Sequence, residues 1–227
     1  MIFAAGYGTR LKPLSLYRPK ALVYYNGKPL LEHVLLKLIN AGFGRIIINV
    51  HYFAEQIIRF VEQKNFPAQI IFSYEQDQLL ETGGGLFFAK KHFLNQPLLI
   101  HNVDIISDLD LNTFYDSFQN NMLALLAVQK RTSSRVLVFD EKEKFLCAWK
   151  NHKTEQIIQA RSCKFPAEFA FSGIHVVSPK LLDLLWPGKY SITEAYLKLA
   201  ANYKISYFDH TPDKWKDVGS LKSLISK

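Results

Sequence analysis

Cysteine is scarce in this 227-residue chain: Cys147 and Cys163 are the only two. They show no Cys-x-x-Cys spacing and no histidine pattern beside them. A disulfide framework or zinc site is therefore excluded in favour of free thiols in a reducing compartment. The seven histidines fit no metal-ligand spacing either. His33 and His51 read as packing or surface residues, and His101 as a residue lining a pocket near Asp104. A run of about eighteen apolar residues is missing, which excludes a membrane-spanning helix. No signal peptide precedes the first apolar strand, so the expected compartment is cytoplasmic. That strand begins almost at Met1, which suggests that upstream residues have been lost. No internal repeat is present, and the chain stops about ten residues after its last motif. A C-terminal hexapeptide-repeat domain is not expected, and a monomer or small homo-oligomer is. Acidic residues number 20 against 28 basic ones, and the net charge of +8 is spread along the chain. Such a surface suits phosphate-bearing ligands. Without a basic helix or an aromatic-basic strand pattern, nucleic acid is not expected as a partner.

What is present begins with a sizeable apolar fraction, 48% of residues, enough for the core of one α/β domain over residues 1–227. Leu30, Leu31, Val34, Leu35, Leu38 and Ile39 recur at helical spacing behind Pro29 and before Gly42. Arg45 to Val50 reads as a buried parallel strand, Phe53 to Gln63 as a helix and Gln69 to Tyr74 as a strand. A glycine loop at Thr82 to Gly85 then leads into a short helix ending near His92. Strands are predicted at Pro97 to His101 and Met122 to Gln129, around a helix at Asp110 to Gln119. This alternation predicts a mainly parallel, Rossmann-like central sheet with helices on both faces. After residue 130 the pattern changes. Val136 to Phe139 and Phe145 to Trp149 form a hairpin around Asp140 to Lys144, and Glu168 to Val177 and Ile205 to Asp209 are strands. Ser191-Ile192-Thr193-Glu194 reads as a capping box before a helix, and the chain closes in a short helix after Gly219.

The stretch Ala4 to Lys20 carries the most chemistry. A short apolar strand runs into Gly6 and Gly8, where backbone N–H groups reach a ligand without an intervening side chain. Arg10 then supplies a forked cation and Lys20 a point charge, which together describe a polyphosphate loop. Two familiar alternatives fail. A dinucleotide fingerprint needs a third glycine where Leu11 stands, and a P-loop needs a Gly-Lys-Ser/Thr that Thr9-Arg10-Leu11 lacks.

Gly6-Tyr7-Gly8-Thr9-Arg10, Pro13-Leu14, Pro19-Lys20 and Gly27-Lys28-Pro29-Leu30-Leu31-Glu32 together resemble the signature of sugar-1-phosphate nucleotidyltransferases. The likeness spans nearly the whole chain. It is nearest to the short single-domain kind, related to N-acetylmuramate-1-phosphate uridylyltransferases and to heptose- or mannose-1-phosphate nucleotidyltransferases. The resemblance implies the nucleotide-diphospho-sugar transferase fold, with a nucleotide-binding half over 1–130 and a small β-rich, sugar-binding half over 131–227. Ala5, Gly6, Gly8 and Thr9 would hold the triphosphate, and Arg10 and Lys20 would act in catalysis.

Asp104 follows the strand ending at His101, where open α/β sheets bind ligands, and a carboxylate there is a hard oxygen ligand suited to Mg²⁺. The resemblance gives it that metal role and pairs it with Asp217 of Trp215-Lys216-Asp217-Val218-Gly219. A cap before the terminal helix is the competing reading for Asp217. Thr82, Gly83 and Gly84 would let a nucleobase lie flat on backbone, with Gln76 either a base contact or a solvated loop residue. On the sugar side the candidates are Asn102, Lys150, Glu168 and Gly173. Here Trp149-Lys150-Asn151 replaces the Glu-Lys-Pro of many relatives, so the usual sugar contact of that glutamate is absent. The implied partners are a nucleoside triphosphate, UTP before GTP or CTP, and a sugar 1-phosphate. Cytidylyl transfer to choline phosphate and a non-catalytic sugar-nucleotide sensor are the alternatives.

Overall fold

A computed structural model describes residues 1–225. The strands and helices fall in chain order as β1 (Ile2–Phe3), β2 (Tyr24–Tyr25), β3 (Lys28–Pro29), α1 (Leu30–Asn40), β4 (Arg45–Val50), α2 (Ala54–Lys64), β5 (Gln69–Tyr74), α3 (Glu81–Phe88), β6 (Leu98–Asn102), β7 (Ile105–Ser107) and α4 (Leu111–Asp116). They continue as β8 (Ala124–Gln129), β9 (Arg135–Asp140), β10 (Leu146–Asn151), β11 (Gln156–Gln159), β12 (Pro166–Val177), α5 (Pro179–Leu184), α6 (Ile192–Ala200), β13 (Ile205–Asp209), β14 (Trp215–Asp217) and α7 (Leu221–Ile225). Strands β6, β1, β4 and β5 lie parallel, in that order. No helix among the described residues is long and apolar enough to cross a membrane.

Three consecutive isoleucines show how the layers arise. Alternation along β4 sends Ile46 and Ile48 into a core with Val34 of α1 and Ile57 of α2. Ile47 faces the opposite core, with Leu86 of α3, Leu181 of α5 and Tyr196 of α6. Both faces are thus covered, as the uninterrupted apolar run requires.

Strand β12 joins the two parts of the chain. Pro166 to Phe169 pair with β9, while Ile174 to Val177 pair antiparallel with β6. The stretch Ala170 to Val177 also pairs with β8, with an irregular register between Phe171 and His175. The β9–β10–β11 meander therefore extends past the carboxyl end of β6, where it can wall a site.

The hairpin at Asp140 to Lys144 and the Ser191 cap form as the sequence predicts, the latter with Ser191 Oγ accepting from Glu194 N at 3.2 Å. Others were not legible. β11, the β2–β3 and β7–β14 pairs and α5 are two to six residues long, too short for a period to emerge. Asp140 earns its place in the hairpin through hydrogen bonds. Its carboxylate accepts the N–H groups of Lys142, Glu143, Lys164 and Phe165 at 2.9–3.1 Å. These donors, Glu143 foremost, pull the carboxyl down to about 2.

A depressed carboxyl stabilises the fold above its unfolded pKa, and that stability is lost as pH falls through the folded value. Asp140→Ala is therefore expected to lower Tm at pH 7, and the gap to the unmodified protein should close between about pH 4 and about pH 2. Thermal unfolding followed by circular dichroism at stepped pH measures this. A gap constant over that window would rule out the carboxylate charge as its source.

Candidate active site

The site forms at the carboxyl ends of β1 and β6. After β1 the backbone passes through Ala5 and Gly6 to Gly8, whose φ of 64° is left-handed. A Cβ on Gly8 would stand 2.9 Å from Lys20 Cβ, so glycine here also lets the Lys20 segment cross against the loop. A 3-10 turn at Thr9–Leu11 carries Arg10, and a second at Lys20–Leu22 begins with Lys20.

Both cations reach carboxylates far along the chain. Lys20 Nζ donates to Asp104 Oδ2 at 2.8 Å. The Arg10 guanidinium lies 3.7 Å from Asp104 Oδ2 and 3.3 Å from Asp217 Oδ2. Pairing of β14 with β7 sets Asp217 opposite Ile105, next to Asp104, and Val218 N donates to Asp104 O at 2.9 Å. Gly219 closes the corner: a Cβ there would fall under 3 Å from Asp104 Oδ2, Asp217 Oδ1 and an Arg10 nitrogen. Gly219 N also donates to Asp217 Oδ1 at 2.7 Å.

Asp104 is only 6% exposed. Burial alone would push its carboxyl up, yet the Lys20 ammonium, its hydrogen bond and the Arg10 charge outweigh burial and hold it below the usual range. Two carboxylates drawn to one guanidinium, with Asp104 on a cavity, are the hard oxygen donors that fit a small hard cation, which keeps water and substrate oxygens in its shell. Among the described residues no third His, Cys, Asp or Glu joins them.

A cavity of about 360 Å³ opens here, bounded by Ala5, Gly6, Arg10, Lys20, Asn49, Asn102 and Asp104, with Leu79, Glu81 and Thr82 at its far side. Asn102 also touches the bulge in β12, where a Cβ on Gly173 would stand 2.8 Å from Asn102 Nδ2. Arg10, Lys20, Ala5, Gly6, Thr82, Asn102 and Asp104 thus come together, with Asp217 paired to Arg10, Gly8 against Lys20 and Gly173 against Asn102. Thr9 lies in the exposed turn beside them.

Four expectations change. Thr82 to Gly85 is no open loop but the start of α3. Gly83 and Gly84 are buried, and their missing side chains admit the Tyr190 ring and the Gly188 carbonyl; Gly83 N donates to Tyr190 O at 2.9 Å. These glycines serve close packing rather than an open base platform. Gln76 is exposed on the β5–α3 connection and does not bound the cavity. Lys150 and Glu168 bind each other at 2.8 Å, with His152 on the second carboxylate oxygen at 2.8 Å. The Lys150 and His152 hydrogen bonds hold the Glu168 carboxyl below its usual range. His101 is buried in the sheet, and burial lowers its imidazole to about 4.

Sequence reasoning missed a second, larger cavity of about 740 Å³ between α6 and the β9–β11 meander. Trp149, Phe171, Leu137 and Ile158 form an apolar wall, with Ser191, Thr193, Arg135 and Lys198 about it. Lys150 and Glu168 bound neither cavity, because alternation along β10 sends Trp149 and Lys150 to opposite faces. Two links join the cavities. Thr82 Oγ1 accepts from Ile192 N at 2.9 Å at the head of α6, and the bulge beside Phe171 abuts Asn102. The bulge is itself held by Trp215 Nε1 on Ser172 O at 2.9 Å, and Arg131 lies 3.6 Å from the Trp215 ring. Trp149 standing where a glutamate was looked for is the one signal that pointed toward this wall.

Comparison with known proteins gives a consistent picture. The sequence model of the family described as nucleotidyl transferase matches residues 1–227. N-acetylmuramate alpha-1-phosphate uridylyltransferase of Caulobacter vibrioides is 28% identical, over 90% of this chain and 85% of its own length. Mannose-1-phosphate guanyltransferase of Pichia angusta is 29% identical over the whole chain, which spans only 62% of that protein. In fold, the chain is similar to HddC from Yersinia pseudotuberculosis complexed with GMP-PN, with a TM-score of 0.74 at 22% identity, covering 98% and 94% of the two chains.

Without the Lys20 ammonium, burial of Asp104 is opposed by the Arg10 charge and a backbone hydrogen bond only. Lys20→Met should therefore raise the Asp104 carboxyl from its lowered position. Carbon-13 NMR titration of labelled aspartate measures it. An unmoved titration would dismiss Lys20 as the group that keeps Asp104 ionised.

Proposed function

The chain belongs to the nucleotidyl transferase family, and from that premise we propose that it transfers a nucleotidyl group from a nucleoside triphosphate to a sugar 1-phosphate, releasing pyrophosphate. The convergence of Lys20, Arg10 and Asp104 on the smaller cavity, with Asp217 paired to Arg10, carries this reading. The triphosphate lies along Ala5 to Arg10 with its nucleoside toward Leu79, Glu81 and Thr82. The sugar occupies the larger cavity, and its phosphate enters between the two.

One phosphate oxygen of the acceptor forms a bond to the α-phosphorus as the bond to the β-phosphate oxygen breaks. The acceptor is already an anion, so no side chain need remove a proton. Catalysis is then positioning and charge neutralisation. Lys20 stands between the α-phosphate and the incoming phosphate, and Arg10 toward the departing pyrophosphate. Asp104 and Asp217 would hold Mg²⁺, whose charge neutralises phosphate oxygens when bound. Both carboxylates also keep the two cations aimed at one point. Uridine is the favoured base, supported by the Caulobacter relative, with guanosine supported by the Pichia relative.

Pyrophosphate release should be measured with Mg²⁺ across four nucleoside triphosphates. The acceptors are the 1-phosphates of glucose, mannose, N-acetylmuramate and heptose, with choline phosphate as a contrast. At least one sugar 1-phosphate is expected to react, and release with no pair would overturn the reading. Asp104→Asn and Lys20→Ala should each lower kcat on the order of 100-fold or more. Near-normal turnover by a folded variant would remove the role assigned to it. Trp149→Ala, which strips the wall of the larger cavity, should raise KM for the acceptor on the order of 10-fold and leave KM for the triphosphate unchanged. Steady-state kinetics with each substrate varied in turn distinguishes the two.

A further inference from the structure

Glu75 stands directly after β5 and is 1% exposed, a buried carboxylate that the proposed chemistry does not use. Its surroundings are donors. Oε1 accepts from Asn49 Nδ2 at 2.6 Å, and Oε2 accepts from Leu80 N at 2.7 Å. An ionised carboxylate is acceptor-only and satisfies both partners at once, which a carboxamide in the same place cannot do. Burial pushes the carboxyl up, and the Leu80 and Asn49 hydrogen bonds act against that. Room for the side chain comes from Gly85, where a Cβ would stand 2.6 Å from Glu75 Oε1.

The main chain of Glu75 is tied as firmly. Its N–H donates to Val50 O at 2.9 Å, and its carbonyl accepts from His51 Nδ1 at 2.6 Å. With Nδ1 donating, the neutral ring presents Nε2 as an acceptor, and Tyr7 OH lies 3.3 Å from it. Tyr7 sits between Gly6 and Gly8 of the phosphate loop. One residue therefore links that loop, β4 and the head of α3. The last of these matters most. Leu80 precedes Glu81, whose φ of 61° is left-handed, and Leu79, Glu81 and Thr82 form the far side of the smaller cavity. A non-glycine residue persists in that conformation only where its surroundings over-determine it.

We propose that Glu75 is a positioning residue for the nucleoside, holding the β5–α3 connection against β4 so that Leu79 to Thr82 keep the shape that receives the base and ribose. This rests on the nucleotidyl transfer reading above. Glu75 does not bound the larger cavity assigned to the acceptor, so the effect is expected to fall on one substrate.

Glu75→Gln keeps the size and turns one acceptor toward a donor. Gly85→Ala presses on Oε1 and on Asn49 Nδ2, the two ends of that hydrogen bond, and Gly85 itself does not bound the cavity. In both variants KM for the triphosphate should rise on the order of 10-fold or more, the scale for a spoiled buried hydrogen bond to a charged group. Both kcat and KM for the acceptor should stay within about threefold. Direct titration with the triphosphate alone should show the same loss of affinity, and thermal unfolding checks that each variant is folded. If one fails to fold, the other carries the test. An unchanged triphosphate KM in a folded variant overturns the proposal, as does an equal loss on both substrates, which would mark a general structural role. If the unmodified protein binds triphosphate without releasing pyrophosphate, the transfer reading fails while the titration still judges Glu75. If it binds no triphosphate, both fall.

Discussion

The bond between Lys20 and Asp104 is the contact on which the site depends. It joins residues 84 positions apart, and it brings a largely buried carboxylate into balance with a cation. Removing one partner of such a pair leaves an uncompensated charge in a poorly solvated place, which costs far more than a surface pair contributes. The Arg10–Asp217 pair spans 207 positions and closes the same cluster from the other end of the chain. Together the two pairs hold the phosphate loop, the end of β6 and the β14 corner at one point. Gly8 and Gly219 are the two positions where this crowding leaves no room for a side chain.

Around this cluster the fold supplies two walls. Beside the smaller cavity, α3 is drawn in by its glycines against Tyr190 and Gly188, and Glu75 anchors the connection that precedes it. Beside the larger one, the irregular register of β12 turns Phe171 into the cavity. A bulge re-aims a side chain in this way without ending the strand. The same bulge is gripped by Trp215, two residues before Asp217, and by Arg131 through Phe171 O at 3.0 Å. The wall of the larger cavity and the carboxylate corner are consequently parts of one packed unit.

Much of this was legible residue by residue. Ile46 to Ile48, the Leu30 to Ile39 periodicity and the Ser191 cap report local rules, periods of 2 and 3.6 and a side-chain oxygen on an orphan N–H, which act over a few residues and need no distant partner. Gly6, Gly8, Arg10, Lys20 and Asp104 could be singled out because phosphate chemistry restricts which residue types can serve, and the structure brings them together. Other residues were not. Three glycines in a row look the same whether they open a loop or let a ring and a carbonyl press on a helix. Lys150 and Glu168 offer suitable charges, but only cross-strand register turns them toward each other and away from the cavity. Glu75 looks like one more polar residue in a polar run until its two donors are seen.

By itself, then, the sequence determined the class of fold and singled out the glycine-and-cation loop and Asp104, because each follows from short-range propensity or from the chemistry of a single side chain, while Asp217 was marked only by its resemblance to a family motif. Tertiary structure alone decided that Asp104 and Asp217 share Arg10, that the triglycine is packing, and that Trp149 and Phe171 wall the larger cavity. Those outcomes turn on which surfaces come within a few ångströms after the chain has crossed the sheet, and contact between distant segments leaves no period or spacing to read.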